Sequence, residues 1–424
     1  MPLTPPTEPG ATASASRASA GPRGSARPPA PIAKGSREAQ ATGSAAARAA
    51  ASAPQTPVPA PTLLRPDEAF PSDTASAKEA LGVTLLADWR WPDGGAPPAR
   101  SEVNGDAIAS LKKQLGMRWG ITLLESGRMR IAFDARSFPV PAGSELRARG
   151  ETLGHVFVFP SGGEYRVAAP GSLRSLFTDR RLDVSPLVAG AESKARVVLP
   201  ARFGAAVERI EIASRIGTLT LETIRVPEAG VGAVLLCRAL LELAALDPRS
   251  NACEREALPV RAHLAWPSGP GIVFEVTDVK KRGDLPLADL LVPPSNGVLR
   301  DAALPSAPSG LLVSREEAAT FRTRPVETAP VASGSRAPAE GLVLSNATEV
   351  VRYATVDGVP VAFVAPGAEQ AVTGLPRGRY NVQWRTFLGD AVEQVSLLDI
   401  PARSAVGEPP QPLLVPTPPA AASK

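Results

Sequence analysis

From residue 80 to about residue 400, apolar and polar positions alternate with a period of two, the pattern of strands with one buried and one wet face. Residues 118–126 (RWGITLLES) and 127–135 (GRMRIAFDA) read as two strands meeting at a Ser-Gly turn. Residues 154–171 (GHVFVFPSGGEYRVAAPG) repeat the design around Pro-Ser-Gly-Gly, and GSLRSLF (171–177) follows as a short helix. Further strands are expected in KARVVLP, VERIEIAS and GTLTLETIRV, the last two meeting at Gly217. In VERIEIAS, Ile210 and Ile212 lie opposite Glu211, as half-burial requires. PVRAHLAW and GIVFEVTDV continue the series.

One segment breaks the period. Residues 231–246, within GVGAVLLCRALLELAAL, are too apolar for a surface helix, so a helix packed into the β body is predicted there. Arg238 and Glu242, four apart, can share one of its faces. Many short strands at roughly ten-residue spacing, with glycine turns and no strand–helix alternation, predict a mainly β fold. The expected central body is sandwich- or barrel-like, with one buried helix, over residues 80–323.

Residues 341–402 carry the most regular alternation. VVRYATVDG and VPVAFVAPG flank Asp357-Gly358, a hairpin signal because a type I′ turn needs positive φ at both central residues. RYNVQWRT then sets Tyr380, Val382 and Trp384 on one face, with Arg379, Asn381, Gln383 and Arg385 on the other. A small β-sandwich is expected, and that polar row is its candidate binding surface. The order of Val356-Asp357-Gly358, a following strand, and Gly378-Arg379-Tyr380-Asn381-Val382 resembles the PEGA-type repeat. The naming Pro-Glu-Gly-Ala motif is replaced by Ala365-Pro366-Gly367-Ala368, and WRTFLGD (384–390) departs from the family pattern. The resemblance covers about 60 residues and implies a non-catalytic accessory module of the kind attached to bacterial surface proteins, lipoproteins and kinases; it brings no active-site residue with it.

Composition sets the boundaries. Residues 1–77, dominated by Ala, Pro, Ser, Thr and Gly, are expected to be a disordered tail, 324–340 a linker, and 403–424 a second tail. The net charge of +4 lies wholly in residues 1–64, with six basic and two acidic side chains; the other 360 residues hold 40 of each sign. A nucleic-acid surface needs clustered positive charge, so no nucleic-acid partner is expected. No apolar run reaches the roughly 18–20 residues of a membrane-spanning helix. Arg outnumbers Lys 38 to 8 in an Ala-, Pro- and Gly-rich chain, which suggests a GC-rich bacterial genome. No signal peptide is visible, so the expected location divides: periplasm or cell envelope if the true start lies upstream, cytoplasm otherwise.

Candidate chemistry is sparse. Cys237 and Cys253, fifteen residues apart in the loop they would close, are open to two readings: a disulfide, implying an oxidising compartment, or two unrelated thiols. His155 and His263 read as structural histidines. A zinc site from these four side chains lacks the short ligand knuckle such sites use, so no metal is expected. GVGAVLL keeps two glycines of a dinucleotide fingerprint, Gly230 and Gly232, but Leu235 stands at the third position, and no cofactor is expected. Ser110 and Lys113 have the spacing of a nucleophile–base pair without its partner motifs. Trp89 and Trp91 read as core residues of the first strand, with sugar stacking as the alternative. Glu275 is the one carboxylate in a strongly apolar strand, and Asn346 opens a glycosylation sequon. Together these residues predict a non-enzymatic binding or structural protein of the bacterial envelope, engaging a protein or cell-wall polysaccharide. A cytoplasmic scaffold and a polysaccharide hydrolase are the alternatives.

Overall fold

A twelve-stranded sheet organises the computed structural model, which describes residues 61–63, 70–74, 77–91, 102–134, 142–160, 163–178, 187, 196–267, 269–300, 309–327 and 340–407. Neighbour by neighbour, the sheet runs Val298–Leu299, Glu164–Ala168, His155–Val158, Glu145–Arg149, Arg128–Asp134, Met117–Leu124, Glu79–Arg90, Gly269–Pro286, Ala257–Trp266, Gly217–Arg225, Ala205–Ser214, Val197–Arg202. Two antiparallel meanders are therefore joined where the last long strand, Gly269–Pro286, pairs with the first, Glu79–Arg90. The fold is mainly β.

Alternation decides which face goes inward. On Met117–Leu124, Met117, Trp119, Ile121 and Leu123 are buried, while Arg118 points to solvent. The inner face carries a chain of ring contacts. Trp89 stacks on Trp119 at 4.8 Å, Trp119 meets Phe133 edge-on at 5.6 Å, and Phe133 leads to Phe157 at 6.5 Å. Such offset and T-shaped pairs match the quadrupoles of the rings.

The predicted apolar helix is Gly230–Leu243, and it touches strands of both meanders. Leu235, Leu236, Leu240, Leu241 and Leu243 are all buried. Its glycines are there for closeness of backbone. A Cβ on Gly232 would stand 2.7 Å from the Leu124 carbonyl oxygen, and one on Gly230 would stand 2.4 Å from that of Glu125. The Val231 N–H donates to the same Glu125 oxygen, so the hairpin turn caps the helix entry. Cys253 is disulfide-bonded to Cys237 on this helix, with Cα atoms 5.6 Å apart.

The C-terminal sandwich consists of a five-stranded sheet (Gly310–Leu311, Val359–Val364, Arg352–Val356, Gly378–Arg385, Ser396–Ile400) and a three-stranded one (Ala368–Val372, Leu342–Asn346, Ala402–Val406). Asp357 and Gly358 turn the hairpin at φ 47° and 78°. Trp384 on one sheet donates through Nε1 to Ser404 Oγ on the other, at 2.9 Å. The stretch WRTFLGD is the part that docks on the central body: Trp91 Nε1 donates to Phe387 O and Trp266 Nε1 to Leu388 O. Gly389 sits so close to Trp91 that a Cβ would come within 2.7 Å of the indole. One hydrophobic core runs continuously through body and sandwich.

The boundaries differ from the composition-based ones. Inside the stretch expected to be a tail, Thr62–Leu63 pairs with Thr152–Leu153, and Phe70 is buried. Asp73 makes an ion pair with Arg128 that is largely shielded from solvent. Gly310–Leu311 and Arg322, placed by sequence in the central body, pack on the sandwich, and Ala402–Val406 extends it past residue 402. Of the expected linker, the Val326 N–H donates to Arg377 O, and residues 328–339 lie outside the described residues, as do 408–424 and most of residues 1–77. No helix among the described residues is long and apolar enough to cross a membrane.

Candidate functional site

The polar row on Gly378–Arg385 occupies the half-exposed face of its strand, with Tyr380, Val382 and Trp384 buried behind it. Its members are engaged with their own sandwich. Arg379 donates two hydrogen bonds to Asp399, at 2.9 and 2.7 Å. Arg385 donates to Gln383 Oε1 and to Gly389 O at 2.7 Å, bracing the docking turn. The Asn381 backbone N–H donates to Asp357 Oδ1 at 3.0 Å.

A concave site forms elsewhere, on the central body beside its seam with the sandwich. The helix Gly105–Gln114 builds one wall. Asn104 caps it by accepting from the Ala107 N–H, Asp106 sits in its first turn, and Lys112 and Lys113 sit in its last, all matched to the helix dipole. Ile108 and Leu111 bury its inner side. The outer face of Glu79–Arg90 and Gly269–Pro286 supplies the floor, where Asp88 stands directly opposite Glu275. These elements enclose a recess of about 810 Å³ lined by Asp88, Arg90, Lys113, Arg118 and Glu275, with Trp91 on its edge. Trp91 also lines a narrow apolar throat of about 40 Å³ that runs on between Met117, Tyr353 and Phe387.

The ion pairs of the floor decide its chemistry. Glu275 accepts from Arg90 at 2.5 Å and from Arg202 at 2.9 Å. Burial pushes its pKa up, but the hydrogen bonds from the two guanidiniums outweigh this and hold it below the usual carboxylate range. Asp88 accepts from Arg118 at 3.2 Å. Opposed carboxylates on a cleft floor suggest glycoside hydrolysis, which needs one carboxyl kept protonated as general acid. Glu275 is placed for the opposite task, as a fixed anion.

Apart from Trp91, the remaining sequence candidates fall in structural positions. Trp89 is buried on the inner face, and Trp91 is half-buried, meeting Tyr353 edge-on at 5.6 Å. Ser110 is exposed and accepts from Gln114 at 3.2 Å. The Asn346 side-chain amide is buried, donating to Val350 O and Val364 O. His263 lies within Ala257–Trp266 opposite Val273. His155 is buried, its Nδ1 3.8 Å from Glu242 Oε1, beyond hydrogen-bonding distance. Burial pushes Glu242 up to about 8 and His155 down to about 4, so the two face each other uncharged at neutral pH. Among the described residues, no group of three or more His, Cys, Asp or Glu could hold a metal ion.

Sequence reasoning missed three features. The helix Gly105–Gln114 was legible from its Asn cap and paired terminal lysines. The recess floor depends on Arg90 meeting Glu275 across 185 residues, for which no local signal exists. Nor does one exist for Arg322, which is buried against the sandwich. Arg322 donates to Asp357 Oδ2 at 2.8 Å and to Arg379 O at 2.6 Å, and its guanidinium lies 3.7 Å from the Tyr380 ring centre.

No family model matches the chain, and no curated protein matches it. Among solved structures it is similar to PNGF-II in two crystal forms. The P21 form has 8% identity and a TM-score of 0.27, with 52% of this chain and 31% of that one covered. The C2 form has 10% identity and a TM-score of 0.29, with coverage of 65% and 46%. The chain thus spans less than half the length of PNGF-II. A LolA superfamily protein from Nitrosomonas europaea aligns at 11% identity and a TM-score of 0.22, over 50% of this chain and 90% of that one. Likenesses this slight carry no weight for fold or chemistry.

Proposed function

We propose that the chain is a non-catalytic binding protein of the bacterial envelope, and that its ligand site is the seam recess, engaging a cell-wall polysaccharide. The observation that carries this reading is the recess itself: a cavity of about 810 Å³ with an aromatic edge and carboxylates tied to arginines. That volume lies in the ordinary range of ligand pockets, roughly 300–1,000 Å³. A floor of matched ion pairs offers fixed donors and acceptors to hydroxyl groups and supplies no proton-transfer pair. The Cys237–Cys253 disulfide supports an oxidising compartment, since such bonds persist mainly outside the cytosol. The PEGA-type resemblance of the sandwich supports an accessory, non-catalytic role for that part.

Co-sedimentation of the purified protein with isolated bacterial sacculi tests the reading. Binding is expected for the wild type and for Arg379→Ala, and loss is expected for Trp91→Ala, with the thermal transition of each variant measured alongside. Retained binding in a folded Trp91→Ala protein would refute the recess as the site.

A further inference from the structure

Charge is unevenly distributed around the recess. Four cationic side chains line it, Arg90, Lys112, Lys113 and Arg118, against two anionic ones, Asp88 and Glu275. Both carboxylates are already engaged. Glu275 accepts from two arginines, of which Arg202 lies outside the lining. Asp88 accepts only from Arg118 Nε, leaving that guanidinium's terminal nitrogens without a partner among the described residues. The Arg118 side chain is 61% exposed. Lys113, also exposed, has no partner among the described residues. A recess with donors to spare and its own acceptors occupied selects an anion.

Trp91 narrows the class of anion. Its indole borders both the recess and the apolar throat, and its Nε1 is committed to Phe387 O, so what it offers a ligand is ring surface. Resting on the reading of the recess as the ligand site, we infer that the ligand is an acidic saccharide. The sugar's C–H face lies against Trp91, and its carboxylate sits between Lys113 and the terminal nitrogens of Arg118. A neutral sugar leaves these donors unmatched. A nucleic acid is not favoured, because the 360 residues after residue 64 carry no basic excess to steer it.

Calorimetric titration of the full chain tests this with three probes: trigalacturonic acid, its fully methyl-esterified form, and a ten-nucleotide oligothymidylate. The acid is expected to bind, and to bind at least about tenfold more weakly in Lys113→Ala or Arg118→Ala, the scale of one lost charge-assisted hydrogen bond. Affinity should also fall as salt is raised. The ester is expected to be weaker by the same factor, and the oligothymidylate weaker still. Both substituted residues are exposed, and an unchanged melting transition would show that each variant is folded. Equal affinity for acid and ester overturns the acidic preference while leaving the recess as a saccharide site. An acid that fails to bind a protein still captured by sacculi does the same. Failure to bind both the trimers and sacculi overturns this inference together with the reading it rests on. Tightest binding by the oligothymidylate would reassign the recess to nucleic acid.

Discussion

The seam recess and the polar row of Gly378–Arg385 are made of the same materials, arginines and polar side chains on the wet faces of strands, yet they are built for different work. On the row, Arg379 is matched by Asp399, and Arg385 turns back on Gly389 O, so these donors are spent within the sandwich itself. In the recess, the helix Gly105–Gln114 raises a wall beside the floor, and Lys113 and the terminal nitrogens of Arg118 have no partner among the described residues. Alternation tells which residues are wet. Concavity and spare valence, which decide whether a wet face binds, come from tertiary packing.

Breaking the seam should have the largest effect. Arg322→Ala leaves the Asp357 carboxylate buried with one partner removed, and should cost about 3–5 kcal/mol in a denaturant titration. A cost below about 1 kcal/mol would mean that the sandwich is held chiefly by other contacts. Replacing both cysteines with serine should cost about 3 kcal/mol, the chain-entropy value for a loop of this length. The effect should match that of saturating reductant on the wild type.

Next in size is the direct contrast between the two sites. Trp91→Ala should abolish capture by sacculi, and Arg379→Ala should change it less than about twofold, as exposed ion pairs contribute little. The reverse ranking would return the binding role to the row.

A subtler test uses Glu242, which has no guanidinium hydrogen-bonded to it among the described residues. Glu275 is held charged by arginines, whereas Glu242 under the sheet keeps its proton up to about pH 8 against an ordinary value of 4.5. Between those values the folded state binds the extra proton, so this group's contribution to stability falls as pH rises. His155, depressed from 6.5 to about 4, acts with the opposite sign: its contribution is regained as pH rises through that window. The two should nearly cancel between about pH 4.5 and 6.5, leaving a decline between about 6.5 and 8 that belongs to Glu242. Stability measured against pH should lose that decline in Glu242→Gln.

Much of the architecture was legible in the sequence because it is local. The turn at Asp357-Gly358, the hairpin of Met117–Leu124 with Arg128–Asp134, the buried face of Gly378–Arg385 and the apolar helix follow from period and turn chemistry over a few residues. The site was not legible, because its floor joins strands from opposite ends of the central body and its wall is a helix whose caps went unread. Phe70 and Asp73 were hidden differently. Low-complexity neighbours made their stretch read as a tail, while Arg128 and the Val292 N–H hold Asp73 in place. WRTFLGD looked like a departure from a module pattern because its partners, Trp91 and Trp266, are distant in sequence.

Hydrogen exchange of the full chain with and without trigalacturonic acid compares the two faces in one experiment. The recess reading predicts slowed exchange over residues 88–91 and 112–118, with residues 379–385 unchanged. Slowing confined to residues 379–385 would contradict it.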